Sequence, residues 1–184
     1  EQNLIKESVG SQDQTAAAFG GLNKIEFGGA QKIMVAPLTI SPERKRDLQN
    51  HLVMFFTGFS RKASEIATEQ IKKTSEKGEE LKTMRQMVEE AIEILGSRKP
   101  IDEFGRLLDE SWKIKRTLAS KISTPLIDSL YGKAKKAGAT GGKLLGAGGG
   151  GFLLVHAKPE LHPKISSSLA KFPRVDFNFE KNGS

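Results

Sequence analysis

Apolar side chains recur at two different spacings in this sequence, and the changes from one to the other divide it into elements. Ala63, Ile66, Ala67 and Ile71 come at helical spacing. So do Leu81, Met84, Val88, Ala91, Ile92 and Leu95, with Gly96 just past the end as a C-cap. A third helical face comprises Phe104, Leu107, Leu108, Trp112 and Ile114–Leu118, after Pro100 and Asp102. The fourth helix has the clearest start: Ser123-Thr124 as N-cap, Pro125 at the first helical position, then Leu126, Ile127, Leu130, Tyr131 and Ala134, closed by Gly138. Extended segments are predicted at Leu22–Phe27 and Lys32–Ala36, separated by a Gly28-Gly29 turn signal. A buried strand is predicted over His51–Thr57, stopped by Gly58, and another over Gly151–His156. A short helix over Pro159–Phe172 and an alternating strand through Val175, Phe177 and Phe179 follow. Glu1–Lys6 reads as the tail of a helix, and Pro37 and Pro42 bracket a break. Helices outnumber strands without regular βα alternation, which predicts an α+β fold with helices on one face of a mainly antiparallel sheet.

Composition narrows the chemistry more than the fold. With 37% hydrophobic and 28% charged residues the chain can build a core. It has no cysteine, which removes disulfides, thiolate metal sites and cysteine nucleophiles. His51, His156 and His162 are scattered and lack metal-ligand spacing. No apolar run approaches the roughly 20 residues needed to span a bilayer, so no membrane association is expected. The formal charge of +7 suits either phosphorylated metabolites or nucleic acid. Its clusters at Arg44–Arg46, Lys72–Lys82, Lys113–Arg116 and Lys133–Lys136 have acidic neighbours, as solvated helix faces do. There is no platform of aromatic and basic residues of the RNA-binding kind, and no nucleic-acid partner is expected.

The segment richest in candidate chemistry is Gly141-Gly142-Lys143-Leu144-Leu145-Gly146-Ala147-Gly148-Gly149-Gly150-Gly151-Phe152. Consecutive glycines cost chain entropy and make sense where backbone takes positive φ or approaches another group closely. An apolar strand follows at once, so the segment reads as a tight turn between extended segments. Either its bare backbone packs against a phosphate or the loop that holds one, or it is a plain glycine-rich hairpin. It is neither a Walker A loop, because Lys143 precedes the glycines, nor a Rossmann fingerprint, because no helix follows.

Lys143 to Phe152 resembles the third motif of the GHMP kinases, the superfamily of galactokinase, homoserine kinase and mevalonate kinase. Gly10-Ser11-Gln12-Asp13-Gln14-Thr15-Ala16-Ala17-Ala18-Phe19-Gly20-Gly21 resembles the stretch that carries the catalytic aspartate in sugar kinases of that group. Two more stretches narrow the likeness to the D-glycero-D-manno-heptose 7-phosphate kinase subgroup. They are Phe56-Thr57-Gly58-Phe59-Ser60-Arg61, and Glu110-Ser111-Trp112-Lys113-Ile114-Lys115-Arg116 continuing through Ile122–Asp128. The likeness covers most of the chain in matching order.

The resemblance implies a GHMP kinase C-terminal domain with a ferredoxin-like sheet over residues 41–184, and a remnant of the N-terminal domain over residues 1–40. It implies ATP and Mg²⁺ as cofactors, and a sugar or sugar phosphate as acceptor at its anomeric hydroxyl. Other acceptors of the superfamily, or a non-catalytic binding domain, are the alternatives. The resemblance makes Asp13 the expected base; on residue type alone a turn aspartate bonding its own backbone is the commoner case. Gly146, Gly148, Gly149 and Gly150 are expected beside the nucleotide phosphates. Gln12 and Gln14, which would point away from Asp13 if the stretch were extended, are candidates for sugar hydroxyls or for backbone contacts. Arg61, Lys115 and Arg116 are candidates for a sugar phosphate, with exposed helix positions as the ordinary alternative. Trp112 and Tyr131 read as core. In such kinases the ATP-holding loop lies upstream of the aspartate stretch, and only twelve residues precede Asp13. The chain is therefore expected to be a portion of a cytoplasmic kinase, inactive alone, with ATP and Mg²⁺ held mainly by the missing half.

Overall fold

The computed structural model describes residues 10–28, 32–58 and 63–184. The expected helix at Glu1–Lys6, part of the Gly28-Gly29 turn, and Arg61 lie outside the described residues. Helix α1 (Gln12–Phe19) is followed by a separate antiparallel pair, β1 (Asn23–Gly28) and β2 (Lys32–Pro37), with Asn23 opposite Pro37. Then come α2 (Pro42–Asn50), β3 (Leu52–Phe56), α3 (Ala63–Lys73), α4 (Gly78–Gly96), α5 (Asp102–Lys115) and α6 (Pro125–Lys136). The chain continues as β4 (Gly141–Leu144), β5 (Phe152–His156), α7 (His162–Ser168) and β6 (Arg174–Val175).

Strands β3 to β6 form one sheet in the order β4-β5-β3-β6, antiparallel throughout, with Leu52 opposite His156 and Gly141 opposite His156 from the other side. Helices cross between β3 and β4 and between β5 and β6, so the order is that of a ferredoxin-like sheet. The α+β class expected from the sequence is the class observed. Val53, Phe55, Leu153 and Val155 point to one face, against Ile127, Leu130 and Ala134 of α6 and Ile165 of α7, with Trp112 fully buried beside them. Leu52 and Leu154 point the other way, into a smaller cluster with Leu48, Leu95, Ile101 and Phe104. Trp112 and Tyr131 are core, as their spacing predicts. Among the described residues no helix is long and apolar enough to cross a membrane.

Local chemistry accounts for the element boundaries. Thr124 Oγ1 accepts the Ile127 N–H at 3.3 Å and Pro125 opens α6, while Gly138, at φ 112°, ends it. Ser41 and Pro42 do the same for α2, where Ser41 Oγ accepts the Arg44 N–H at 3.1 Å. That helix carries a single buried apolar residue, Leu48, so its apolar spacing gives no signal, and the break expected at Pro42 is its N-terminus. The terminal strand is shorter than expected. Beyond Val175 the Gln49 side chain takes over the ladder, donating to Phe177 O at 3.0 Å and accepting from Phe179 N at 2.9 Å. Gly96 is the last residue of α4, and Ser97 caps it.

The scattered histidines meet in space. His51 and His156 stack with ring centroids 5.3 Å apart, and Phe104 packs on His156. Burial, with the charge of His51 and His162 adding to it and Asp102 opposing it, pushes His156 down to about 4. His156 Nε2 is buried without a hydrogen-bond partner. A ring neutral in the fold and ordinarily basic when unfolded stabilises fully above about pH 6.5, and that contribution is lost as pH falls toward 4. Unfolding free energy should therefore fall with acidification at up to about 1.4 kcal/mol per pH unit from this group. Denaturant unfolding at several pH values should show that slope in the wild type and a flatter one in His156→Gln; equal slopes would remove His156 as the source.

Candidate active site

The glycine-rich segment is a turn joining β4 to β5, and three neighbours hold it. Leu145 N–H donates to Phe152 O at 2.8 Å, extending the ladder past β4 by one residue. Thr57, at the end of β3, clasps the far side: Oγ1 donates to Gly151 O at 2.9 Å, and the Gly151 N–H donates to the same Oγ1 at 3.0 Å. Gly149 N–H donates to Ile122 O at 2.8 Å. Gly148 has φ 121°, and a Cβ there would stand 2.8 Å from the Ile122 Cα and carbonyl oxygen. That position requires glycine for both conformation and space. Gly146 also has positive φ, at 72°, but it faces open space, and Gly150 lies between Gly149 and Gly151 in the same turn.

The loop that offers Ile122 is itself tethered. Glu69 Oε1 on α3 accepts from both Ser120 N and Ser120 Oγ, each at 2.9 Å, and from Lys73 at 3.0 Å. The Ser120 N–H, the Lys73 ammonium and the Ser120 hydroxyl together hold the Glu69 carboxyl down at about 2.

The fourth contact comes from α5. Lys115 Nζ donates to Gly146 O at 2.5 Å. Burial pushes the Lys115 ammonium down to about 8, the nearby Lys143 charge pushes the same way, and the Asp13 carboxylate opposes both. Lys115 thus stands within electrostatic reach of Asp13 and of Lys143 while touching the glycine turn. Lys143 projects from β4 on the same side as Gly141, whose backbone meets α5 so closely that a Cβ there would overlap Gly105 O. Burial lowers the Lys143 ammonium as well. Lys143 and Ser111, one turn before Lys115 on α5, line a cleft of about 340 Å³ walled by Met84, Leu107 and Leu108.

Asp13 lies in the first turn of α1 and is exposed; Thr15 anchors that turn by donating from Oγ1 to Ser11 O at 2.7 Å. The stretch is helical, so the alternation that would send Gln12 and Gln14 away from Asp13 does not apply; both are exposed on the same turn. A helix was hidden here because its apolar residues are Ala16–Ala18 and Phe19, none of them buried. Arg116 turns away from this group. Its guanidinium pairs with Asp128 Oδ1 at 2.8 Å and sits 6.0 Å from the Trp112 ring centre, tying α5 to the start of α6. Sequence reasoning passed over Thr57 and Lys143 as site residues, although Lys143 opens the motif, three residues before Gly146, and was visible there.

Residues 87–173 match the family model for the C-terminal domain of GHMP kinases, and the chain has the α+β fold of that domain. The chain is 30% identical over 178 residues to the D-glycero-alpha-D-manno-heptose 7-phosphate kinase of Campylobacter jejuni, covering 95% of this chain and 52% of that protein. It is 28% identical over 163 residues to the bifunctional fucokinase/GDP-fucose pyrophosphorylase of Arabidopsis thaliana, covering 85% of this chain and 15% of that protein. The fold is similar to L. major mevalonate kinase, solved with R-mevalonate, at TM-score 0.70 and 21% identity over 88% of this chain and 50% of that one. The chain thus spans about half the length of the heptose kinase that it matches.

The two kinds of glycine separate in their expected cost. Gly148→Ala should lower unfolding free energy by about 2–4 kcal/mol through strain and overlap with Ile122, whereas Gly146→Ala should cost about 1 kcal/mol from conformation alone. Urea unfolding of both variants checks this; equal effects would contradict the close approach of Gly148 to Ile122.

Proposed function

We propose that this chain is the C-terminal portion of an ATP-dependent sugar kinase that transfers the γ-phosphate to the anomeric hydroxyl of a heptose 7-phosphate or a similar sugar. The observation that carries the proposal is that the exposed Asp13 carboxylate acts on the charge of Lys115, the residue that bonds the glycine turn, because a carboxylate near a cation-bearing glycine turn suits proton removal next to a phosphoryl group. In this reading Asp13 accepts a hydrogen bond from the acceptor hydroxyl and takes its proton as the hydroxyl oxygen attacks the γ-phosphorus and ADP leaves. In the same reading the glycine turn would present bare backbone to the phosphates, and the exposed Gln12 and Gln14 would bond sugar hydroxyls. Arg61 is a further candidate for the sugar phosphate; Arg116, engaged with Asp128, would have to exchange that partner to serve there.

We assign residues 1–40 to the edge of an N-terminal domain and residues 41–184 to the C-terminal domain; the separate β1–β2 sheet supports a boundary there. Among the described residues no group of three or more acidic or histidine side chains is arranged to hold a metal ion, so these residues do not by themselves fit a Mg²⁺ site. Mg²⁺ accompanying ATP would be held by groups outside them. A second reading keeps the chemistry and changes the acceptor to a deoxyhexose, supported by the likeness to the plant fucokinase.

In the complete kinase to which this chain belongs under this reading, Asp13→Asn should lower kcat by a factor of about 10²–10⁴. Coupled ADP-release assays against a heptose 7-phosphate, fucose and mevalonate would measure it and rank the acceptors. Undiminished turnover in the variant would end the assignment of Asp13 as base, and preference for mevalonate would end the sugar assignment.

A further inference from the structure

Charges buried in a protein are normally paired, because taking an ion out of water costs several kcal/mol unless an opposite charge or several hydrogen bonds compensate. Around α5 most cations obey this. Lys113 Nζ lies 2.7 Å from Asp109 Oδ2, and Lys135 lies 3.6 Å from the other oxygen, which also accepts from the Tyr131 hydroxyl. Arg116 and Ser123 share Asp128 Oδ1 at 2.8 and 2.7 Å, and Lys73 and Ser120 share Glu69. Asp109, Asp128 and Glu69 are therefore already engaged, and Asp13 acts on Lys115 only through its charge.

Lys115 and Lys143 are the exceptions. Both are partly buried, and among the described residues neither has a carboxylate within ion-pair distance. They come from two elements packed against each other, α5 and β4, and their charges repel. Lys115 spends one proton on Gly146 O and Lys143 opens onto the cleft beside Ser111. Two ammonium groups on packed elements, neither held in an ion pair, with Ser111 one turn before Lys115 and the glycine turn bonded to it, form a receptor for a compact dianion.

We propose that Lys115 and Lys143 are a two-lysine seat for a phosphoryl group, with the Ser111 hydroxyl as a further donor, next to Asp13. Lys115 contributes a second function, linking the seat to the glycine turn through Gly146, so that a filled seat fixes the turn. The inference rests on the kinase reading for its choice of a phosphoryl group over other dianions, and the group can be the one in transfer or the acceptor's own phosphate. The cost of keeping both lysines charged and unpaired in the empty protein is offset when the anion arrives.

The test is titration of the chain with inorganic phosphate, tripolyphosphate and sedoheptulose 7-phosphate, followed by NMR of the lysine ε-positions. Phosphate should shift the Lys115 and Lys143 signals together. Lys143→Met should weaken binding by about tenfold or more, as for loss of a charged hydrogen-bond donor, while Lys143→Arg retains most of it. Without ligand, Lys143→Met should melt at or above the wild-type temperature, because it removes an unpaired buried charge. Lys136→Met, on the exposed end of α6, should leave binding unchanged. Tighter binding of tripolyphosphate places the transferring group in the seat; tighter binding of the heptose phosphate places the acceptor's own.

Sulfate, a dianion throughout, supplies the pH arm. The charged groups acting on Lys115 are Lys143 from β4 and Asp13 from α1, and with Lys115 titrating near 8, sulfate affinity should fall between about pH 7 and pH 9.5. Unchanged phosphate binding in Lys143→Met, or a loss of stability in that variant with binding intact, would overturn the seat. Phosphate binding at the two lysines, in a complete protein that transfers no phosphate, would instead sink the kinase reading and leave the seat standing.

Discussion

The bond from Lys115 to Gly146 joins residues 31 apart in sequence and makes one locale of three otherwise separate parts of the chain. The ammonium bonds the turn between β4 and β5, and the charges of Lys143 and of Asp13, at the start of α1, both act on it. Were Lys115 absent, the glycine turn would still be held by Ile122 and Thr57, but nothing described would couple it to the carboxylate. The arrangement relies on α5 lying flush against β4. Gly105 and Gly141 permit that, since a Cβ at Gly141 would overlap the Gly105 carbonyl. Two glycines thus set how closely the helix that carries Lys115 approaches the strand that carries Lys143.

Stability and site chemistry pull in opposite directions here. The Asp109 network shows what the same helix does when stability alone is served. Burial works to raise that carboxyl, yet Lys113, the Tyr131 hydroxyl and Lys135 hold it below its ordinary range and charged. Further along that helix Lys115, and on β4 Lys143, lack such an ion pair and are both pushed down by burial. Native proteins tolerate uncompensated charge mainly where a ligand will supply the missing partner. The same logic explains why the turn is built from glycine. Its backbone groups face Ile122, Thr57 and Lys115 directly, with no side chain between.

The fold was legible wherever burial follows local spacing. Helix α6 declared itself through Thr124, Pro125 and the Ile127, Leu130, Tyr131, Ala134 stripe, and β3 through its apolar run. It was illegible where polar groups do the work of apolar ones. Helix α2 buries only Leu48, α1 buries only Thr15, and the chain after β6 is held by the amide of Gln49 instead of by strand pairing. The site divides likewise. Its glycine turn and aspartate stretch could be located through a family likeness, because each is a contiguous motif. The pairing of Lys115 with Lys143 could not, because it exists only once α5 packs on β4. Nor could the engagement of Arg116 by Asp128, which arises from the meeting of α5 with the start of α6.

The central claim is that the Asp13 carboxylate and the Lys115 ammonium feel each other's charge beside the glycine turn. The most direct measurement is an NMR titration of the Lys115 side chain in the wild-type chain and in Asp13→Asn. The account predicts a wild-type midpoint near 8 and a lower one in the variant, since the carboxylate supports the charged form. Identical midpoints in the two proteins would show that the carboxylate and the glycine turn do not share a site.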